Sequence, residues 1–208
     1  MFTGIIQAVG KIREPEKLGD GVRLTIATPP EFHLENTKVG DSIAVNGACM
    51  TVIKVEGSSF QIDVSAESLS KTANLSTFGE CNLEKAMRLG DTVDGHLVSG
   101  HVDGIGQVES MEPASESYRL VILAPMKLSQ YLAYKGSVTV NGVSLTINSV
   151  EDTPVGARIS INLIPHTLEA TTLKHLKAQD FVNLEIDTLA RYIERMLAVR
   201  NASGDSLF

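Results

Sequence analysis

His96 and His101, in the run GHLVSGH, stand five residues apart. On an extended strand an odd separation turns two side chains to opposite faces, so this pair does not read as a shared metal site, and no metal is expected elsewhere. Histidine can carry protons near neutral pH. His101 is the candidate for that work, because it replaces the aliphatic Ile5 at the matching place of an earlier, similar segment. Its other reading is a plain polar strand residue. Ser42, Cys49, Ser144 and Thr146 carry short hydroxyls or a thiol, suited to a surface that closes against a polar, uncharged ligand. Cys49 also reads as an inert packed thiol, and Cys81 reads as packing. Glu67 and its counterpart His166 each either meet a ligand or cap a turn. Lys135 is either a surface lysine or a cation at a pocket rim, where it would suit an electron-poor or anionic heterocycle. The two cysteines, Cys49 and Cys81, form neither a metal-ligand spacing nor a disulfide framework.

The elements that must position these groups are written twice. SIAVNGACMTV, from Ser42 to Val52, returns as SVTVNGVSLTI, from Ser137 to Ile147. Asn-Gly between alternating apolar runs specifies a two-residue hairpin whose turn needs positive φ at both central residues. The register follows: Val45 opposite Ala48, Ala44 opposite Cys49, Ile43 opposite Met50 and Ser42 opposite Thr51. One face of the first hairpin then collects Ile43, Val45, Ala48, Met50 and Val52, which is core. The other collects Ser42, Ala44, Cys49 and Thr51, matched in the second copy by Ser137, Thr139, Ser144 and Thr146. Those eight positions are small and uncharged, unlike an ordinary solvent face, and read as a surface that closes on a polar ligand.

The repeat extends beyond the hairpin. TGIIQAVGKI from Thr3 matches SGHVDGIGQV from Ser99, RLTIATP matches RLVILAP, FQIDVSAESLSKT matches ISINLIPHTLEAT, and NLE at Asn82 recurs at Asn183. The chain is therefore a duplication of a module of roughly a hundred residues. Each half reads as a small all-β barrel or sandwich of six strands, starting near residues 3, 22, 42, 48, 60 and 82 in the first half. Short helical turns are expected within 68–75 and 167–176. The division is 1–96 for the first unit and 97–187 for the second. From Thr188, TLARYIERMLAV places Leu189, Ile193, Met196 and Leu197 at helical spacing. That helix packs on its own barrels or on a second subunit, and 201–208 is expected to be a loose tail.

A net charge of −7 argues against a nucleic-acid partner or an anionic membrane surface. With 5% aromatics and no Trp there are few platforms for stacking single strands. The opening MFTGIIQAVGKI lacks the basic and apolar regions of a signal peptide, and no segment approaches transmembrane length, so a cytoplasmic protein is expected.

MFTGI, VNGACMTV, GHLVSGH, YKGSVTVNGVSLT and IPHTLEATTL together closely resemble the riboflavin synthase family, over about residues 1–198. The resemblance implies an all-β fold of two tandem six-stranded Greek-key barrels related by internal duplication, with a C-terminal α-helix that joins three subunits. It implies conversion of two 6,7-dimethyl-8-ribityllumazine molecules into riboflavin and 5-amino-6-ribitylaminouracil, with no metal or organic cofactor. A homotrimer and an association with lumazine synthase are the protein partners it implies. In the family the N-terminal barrel of one subunit faces the C-terminal barrel of its neighbour, so the doubled hairpin serves two copies of one substrate.

Carried over position by position, the resemblance implies a first pocket of Gly4, Ile5, Ile6, Ser42, Cys49, Met50 and Thr51, with Asp63, Val64, Ser65, Ala66, Glu67 and Ser68. The second pocket takes His101, Val102, Asp103, Lys135, Ser144, Leu145 and Thr146, with Asn162, Leu163, Ile164, Pro165, His166 and Thr167. His101 is the expected proton-transfer group, with Ser42, Cys49, Ser144 and Thr146 positioning the reacting groups. Asn141 stands where some family members have Asp, so no carboxylate role is carried to it. Two other readings share the fold. Lumazine proteins bind the chromophore as optical antennae without catalysis, and flavin-binding barrels of oxidoreductases accompany a glycine-rich nicotinamide module that this sequence lacks.

Overall fold

The computed structural model describes residues 1–203. The first half folds as β1 (Ala8–Ile12), β2 (Glu16–Leu18), β3 (Gly21–Ala27), β4 (Ser42–Val45), β5 (Ala48–Glu56), β6 (Ser59–Val64), the one-and-a-half-turn helix α1 (Ala66–Lys71) and β7 (Gly79–Lys85). The second half repeats the plan as β8 (Gly104–Ala114), β9 (Ser117–Pro125), β10 (Ser137–Val140), β11 (Val143–Thr153), β12 (Gly156–Leu163), α2 (Pro165–Ala170) and β13 (Phe181–Ile186). Helix α3 (Thr188–Ser203) closes the described chain. It runs past the expected end at 200, and residues 204–208 of the expected tail lie outside the described residues.

Both halves are closed antiparallel barrels. In the first, strands run β1-β7-β4-β5-β6-β3 and the ring shuts through the pairs Lys11–Ala27 and Ile12–Ile26. The order β7-β4-β5-β6 is a Greek key, in which the last strand returns beside the first of a meander. The second ring runs β10-β11-β12-β9-β8-β13. The first barrel carries one addition, the short exposed β2 laid on the edge of β3. Both hairpins take the register expected of Asn-Gly, from Ser42–Thr51 to Val45–Ala48 and from Ser137–Thr146 to Val140–Val143. Their apolar faces are buried in the two barrel cores. Among the described residues no helix is long and apolar enough to cross a membrane.

The two hairpin turns meet tip to tip. Asn46 and Gly47 have φ of 46° and 83°, Asn141 and Gly142 of 48° and 82°. A Cβ on Gly47 would stand 2.6 Å from the Gly142 nitrogen. Asparagines stitch this contact symmetrically. Asn82 Nδ2 donates to the Asn141 carbonyl and Asn183 Nδ2 to the Asn46 carbonyl, each at 2.9 Å. The backbone N–H groups of Asn82 and Asn183 donate to the side-chain oxygens of Asn46 and Asn141, at 2.9 and 2.8 Å. All four are buried, so the network is satisfied where an unpaired amide would be costly. Gly47→Ala is expected to strain a left-handed position and to drive a methyl into the facing backbone, costing upward of about 1–2 kcal/mol. Denaturant unfolding should show the midpoint fall, with a greater loss than for Gly57→Ala, where nothing lies within 4 Å of the added methyl.

Candidate active site

The segment before each barrel's first strand is not itself barrel strand. Gly4 has φ of 78° and Gly100 of 79°, and each presses on a hairpin. The hairpin is that of the opposite half. Ser144 N–H donates to the Gly4 carbonyl at 2.7 Å, and Cys49 N–H to the Gly100 carbonyl at 2.8 Å. A Cβ on Gly4 would come 2.6 Å from Ser144 Cβ, and one on Gly100 would come 2.7 Å from Cys49 Cβ, so only glycine permits the approach. Ile6 packs on the core of the second barrel and Val102 on that of the first.

This corrects the grouping read from sequence. Gly4, Ile5 and Ile6 belong with Ser144 and Thr146 at the mouth of the second barrel. Gly100, His101 and Val102 belong with Cys49 and Thr51 at the mouth of the first. The physical reason is that β1 begins at Ala8 and β8 at Gly104, which leaves the preceding residues free to reach across the inter-barrel contact.

What holds these segments is the repeated NLE. Glu84, on β7, accepts from Thr3 N–H at 2.7 Å, Thr3 Oγ1 at 2.8 Å and Gly4 N–H at 3.0 Å. Glu185, on β13, accepts from Ser99 N–H at 2.7 Å, Ser99 Oγ at 2.6 Å and Gly100 N–H at 2.9 Å. Each segment is thus gripped by its own barrel and caps the other. Between them Phe2 is fully buried and pairs with Val98, beside Ala44, Cys49 and Ala86. Sequence reasoning noted the NLE repeat and gave it no role. The signal available was a polar residue on each side of a core leucine in a strand, twice.

Burial pushes both carboxyls above the ordinary 4.5, although the N–H donors pull the other way. A carboxyl whose folded value is raised favours folding most when protonated. The cost of burying its charge is therefore present at neutral pH and fades as pH falls through the raised value toward 4.5. Glu84→Gln and Glu185→Gln should flatten this part of the stability–pH curve, measured by denaturant unfolding. Each amide would also face an N–H with a donor, so the grip on the leading segment should loosen at the second mouth for Glu84→Gln and at the first for Glu185→Gln.

The small faces of the hairpins are graded. Ala44 and Thr139, nearest the tips, are buried; Ser42, Cys49, Ser137 and Ser144 are half-buried; Thr51 and Thr146 are exposed. Ile5 and His101 are exposed beside them, so both mouths open to solvent. Ser42, opposite Thr51, lines a small recess of about 190 Å³ with Asn36, Thr37, Lys85 and Arg88.

Several expected contacts are made differently. Met50, Val64, Leu145 and Leu163 turn their side chains into the barrel cores, as strand alternation dictates. The Asp63 carboxylate is held by Arg23 through two hydrogen bonds of 2.8 and 3.0 Å, which keeps its carboxyl below the usual range. Ser65 caps α1 by accepting from Ser68 N–H, and exposed Ala66 and Glu67 form its first turn, Glu67 paired with Lys71. On the second side Asn162 accepts from Ser117 Oγ, while Ile164, Pro165 and His166 are exposed where α2 begins and Thr167 is half-buried. The Asp103 carboxylate accepts from Ile186 N–H and pairs with Arg191 at 2.8 Å, tying α3 to the second barrel. Lys135 donates to Asn148 Oδ1 at 3.1 Å beside the base of the second hairpin. Cys81 is the packed thiol expected, pushed up to about 12 by burial. No cluster of metal-ligating side chains occurs among the described residues.

Two mouths of one plan, each flanked by the other half's leading segment, give the two halves similar small polar faces. The lumazine binding domain family matches the chain twice, over residues 3–86 and 99–187. Riboflavin synthase of Photobacterium phosphoreum is 43% identical over 201 residues, covering 96% of this chain and 90% of its own. Riboflavin synthase of Bacillus subtilis (strain 168) is 39% identical over 204 residues, covering 97% and 92%. Among solved structures, LumP complexed with riboflavin superposes with a TM-score of 0.80 at 26% identity, over 89% of this chain and 99% of that one. LumP complexed with 6,7-dimethyl-8-(1'-D-ribityl) lumazine gives 0.78 at the same identity and coverage. The chain belongs to the riboflavin synthase family, with two lumazine-binding domains.

Proposed function

We propose that the chain catalyses the dismutation of two 6,7-dimethyl-8-ribityllumazine molecules to riboflavin and 5-amino-6-ribitylaminouracil by transfer of a four-carbon unit. The observation that carries this reading is the pair of mouths, alike in plan and unlike in chemistry. Cys49 and His101 mark one where Ser144 and Ile5 mark the other. A transfer between identical molecules needs one deprotonated and one attacked, which two unlike sites provide. Relatives named riboflavin synthase across nearly the whole chain support the activity.

Much of the chemistry resides in the substrate, whose C7 methyl is acidic because its anion delocalises through the pteridine. The protein's contribution is to hold two heterocycles face to face, worth about 7–11 kcal/mol for well-oriented reactants. The small faces of the hairpins do this with Thr51, Thr146 and their neighbours hydrogen-bonding ribityl chain and ring. His101, exposed at the first mouth, moves the proton, and Ser42, Cys49, Ser144 and Thr146 position the reacting groups. No metal or organic cofactor takes part. The facing pair of mouths comes from neighbouring chains of a cytoplasmic trimer, joined through α3.

Incubation with the lumazine alone should consume two molecules for each riboflavin formed, with release of one 5-amino-6-ribitylaminouracil. Tight binding without product would instead mark an antenna-type protein, the function that the LumP-like fold would serve without catalysis. His101→Ala is expected to lower single-turnover rate by about 10²-fold or more while affinity changes less. Cys49→Ser, which makes the first mouth resemble the second, should keep binding and partial turnover. Parent-like turnover by His101→Ala would make that imidazole structural.

A further inference from the structure

The recess beside the first mouth brings together two cations, Lys85 and Arg88, in a space of about 190 Å³. The half-buried Lys85 donates from Nζ to the His33 carbonyl at 2.7 Å, 4.9 Å from the centre of the Phe32 ring. Arg88 Nη2 donates to the Asn36 carbonyl at 3.3 Å. Among the described residues neither side chain forms an ion pair. Asp41, the carboxylate in the lining, accepts from Lys38 N–H at 2.9 Å and so serves its own turn. The hydroxyl of Thr37, in the same lining, is buried with no hydrogen-bond partner.

Two neighbouring cations repel, and burial adds to the cost. Burial holds the Lys85 ammonium below its ordinary 10.5; Glu35 and Asp41 pull it up, while Arg88 pushes it further down. An anion between the two side chains relieves both the repulsion and the lost hydration. The chain as a whole carries a net charge of −7, so only a local pair of cations can hold an anion against that field. The second barrel has no such pair. Ile186 stands opposite Val138 where Lys85 stands opposite Ile43, and in the NLE repeat Leu189 falls where Arg88 does.

We propose that this recess is a phosphate subsite of the first barrel, filled by inorganic phosphate or by the phosphate group of an ester. A phosphate monoester carries a charge of about −1.5 to −2 at pH 7 and three strong acceptor oxygens, which suit an ammonium and a guanidinium side by side. Ser42 lines the recess and belongs to the small face of the first hairpin. Ala86, in the same lining, packs on the Phe2 cluster, as Cys49 does. An ester whose phosphate ends a ribityl chain would thus lay its ring in the first mouth and its phosphate in the recess. That source rests on the lumazine reading above; inorganic phosphate does not. Either way, phosphate is recognised at one barrel only.

The test titrates the full chain at fixed ionic strength with inorganic phosphate, followed by phosphorus NMR line width. Riboflavin and riboflavin 5'-phosphate are titrated separately, followed by flavin fluorescence. Three variants accompany the parent: Lys85→Met, which keeps the stem over Phe32, Arg88→Gln at an exposed side chain, and Lys17→Met on exposed β2. Loss of one charge-assisted hydrogen bond should weaken phosphate binding about tenfold or more in each of the first two, with Lys17→Met like the parent. If the ester is the occupant, the parent should prefer it to riboflavin about tenfold. That preference should vanish in Lys85→Met and Arg88→Gln while riboflavin affinity stays. If free phosphate is the occupant, its binding falls in the same two variants and the ester gains no preference. No binding of phosphate from either source, or binding that Lys85→Met and Arg88→Gln reduce no more than Lys17→Met, would overturn the proposal. Should Lys85→Met fail to fold by circular dichroism, Arg88→Gln decides alone. A chain that binds no flavin contradicts the lumazine reading, yet the inorganic phosphate titration still decides the subsite.

Discussion

Phe2→Ala should cost about 3–5 kcal/mol of stability, the range for truncating a fully buried aromatic, and should abolish turnover. Phe2 is wholly buried although it is the second residue of the chain. Its two backbone hydrogen bonds with Val98, at 2.7 and 3.0 Å, join the leading segments of the two halves. Its ring edge lies so near Gly100 that a Cβ there would come within 2.9 Å. The cavity left by truncation would loosen both Thr3–Gly4 and Ser99–Gly100, hence both mouths at once. Denaturant unfolding and lumazine titration of the same sample check this. Tight binding at two sites with parent-like stability would mean the ring is dispensable.

Removal of every residue after Asp187 should give smaller species that retain both barrels and lose turnover. Helix α3 is held to its own barrel on one side, through Arg191 with Asp103 and through Tyr131 with Glu194 at 3.3 Å. Its other side is left bare: Leu189 is 64% exposed, Ile193 55% and Met196 67%. These lie at helical spacing, so the stripe is continuous and of the kind that covers itself against other subunits. Sedimentation gives the mass, and circular dichroism reports whether the barrels survive. Trimers of the truncated chain would place the assembly contacts on the barrels alone.

The hairpins were legible because Asn-Gly leaves one turn geometry and thereby one register; every predicted pair occurs. Strand alternation likewise placed Ile43, Val45, Val138 and Val140 in the cores. The exchange of leading segments was not legible, for a physical reason. A duplicated sequence looks the same whether Gly4 lies on Cys49 or on Ser144, since self-similarity is indifferent to which copy is touched. Only the distances decide it. The same indifference hid the purpose of NLE, whose asparagines bolt the barrels together and whose glutamates grip the crossing segments. Strand β2 carries no apolar alternation to announce it and is exposed throughout. His96 was set aside with the metal reading, because Ser144, 2.7 Å from its Nδ1, lies 48 positions away in sequence.

The measurement that bears most directly on the account is complementation between blocked mouths. Thr51→Arg fills the first mouth and Thr146→Arg the second, each at an exposed side chain that the barrels do not need for folding. Each variant alone should be inactive. If, as proposed, the chain forms trimers and the reacting pair is the first mouth of one chain and the second mouth of its neighbour, mixed trimers formed by co-expression would bring one open mouth of each kind together. Random mixing should then restore about a quarter of parent turnover. A mixture as inactive as its components would contradict the account, because it would place both substrates on a single chain.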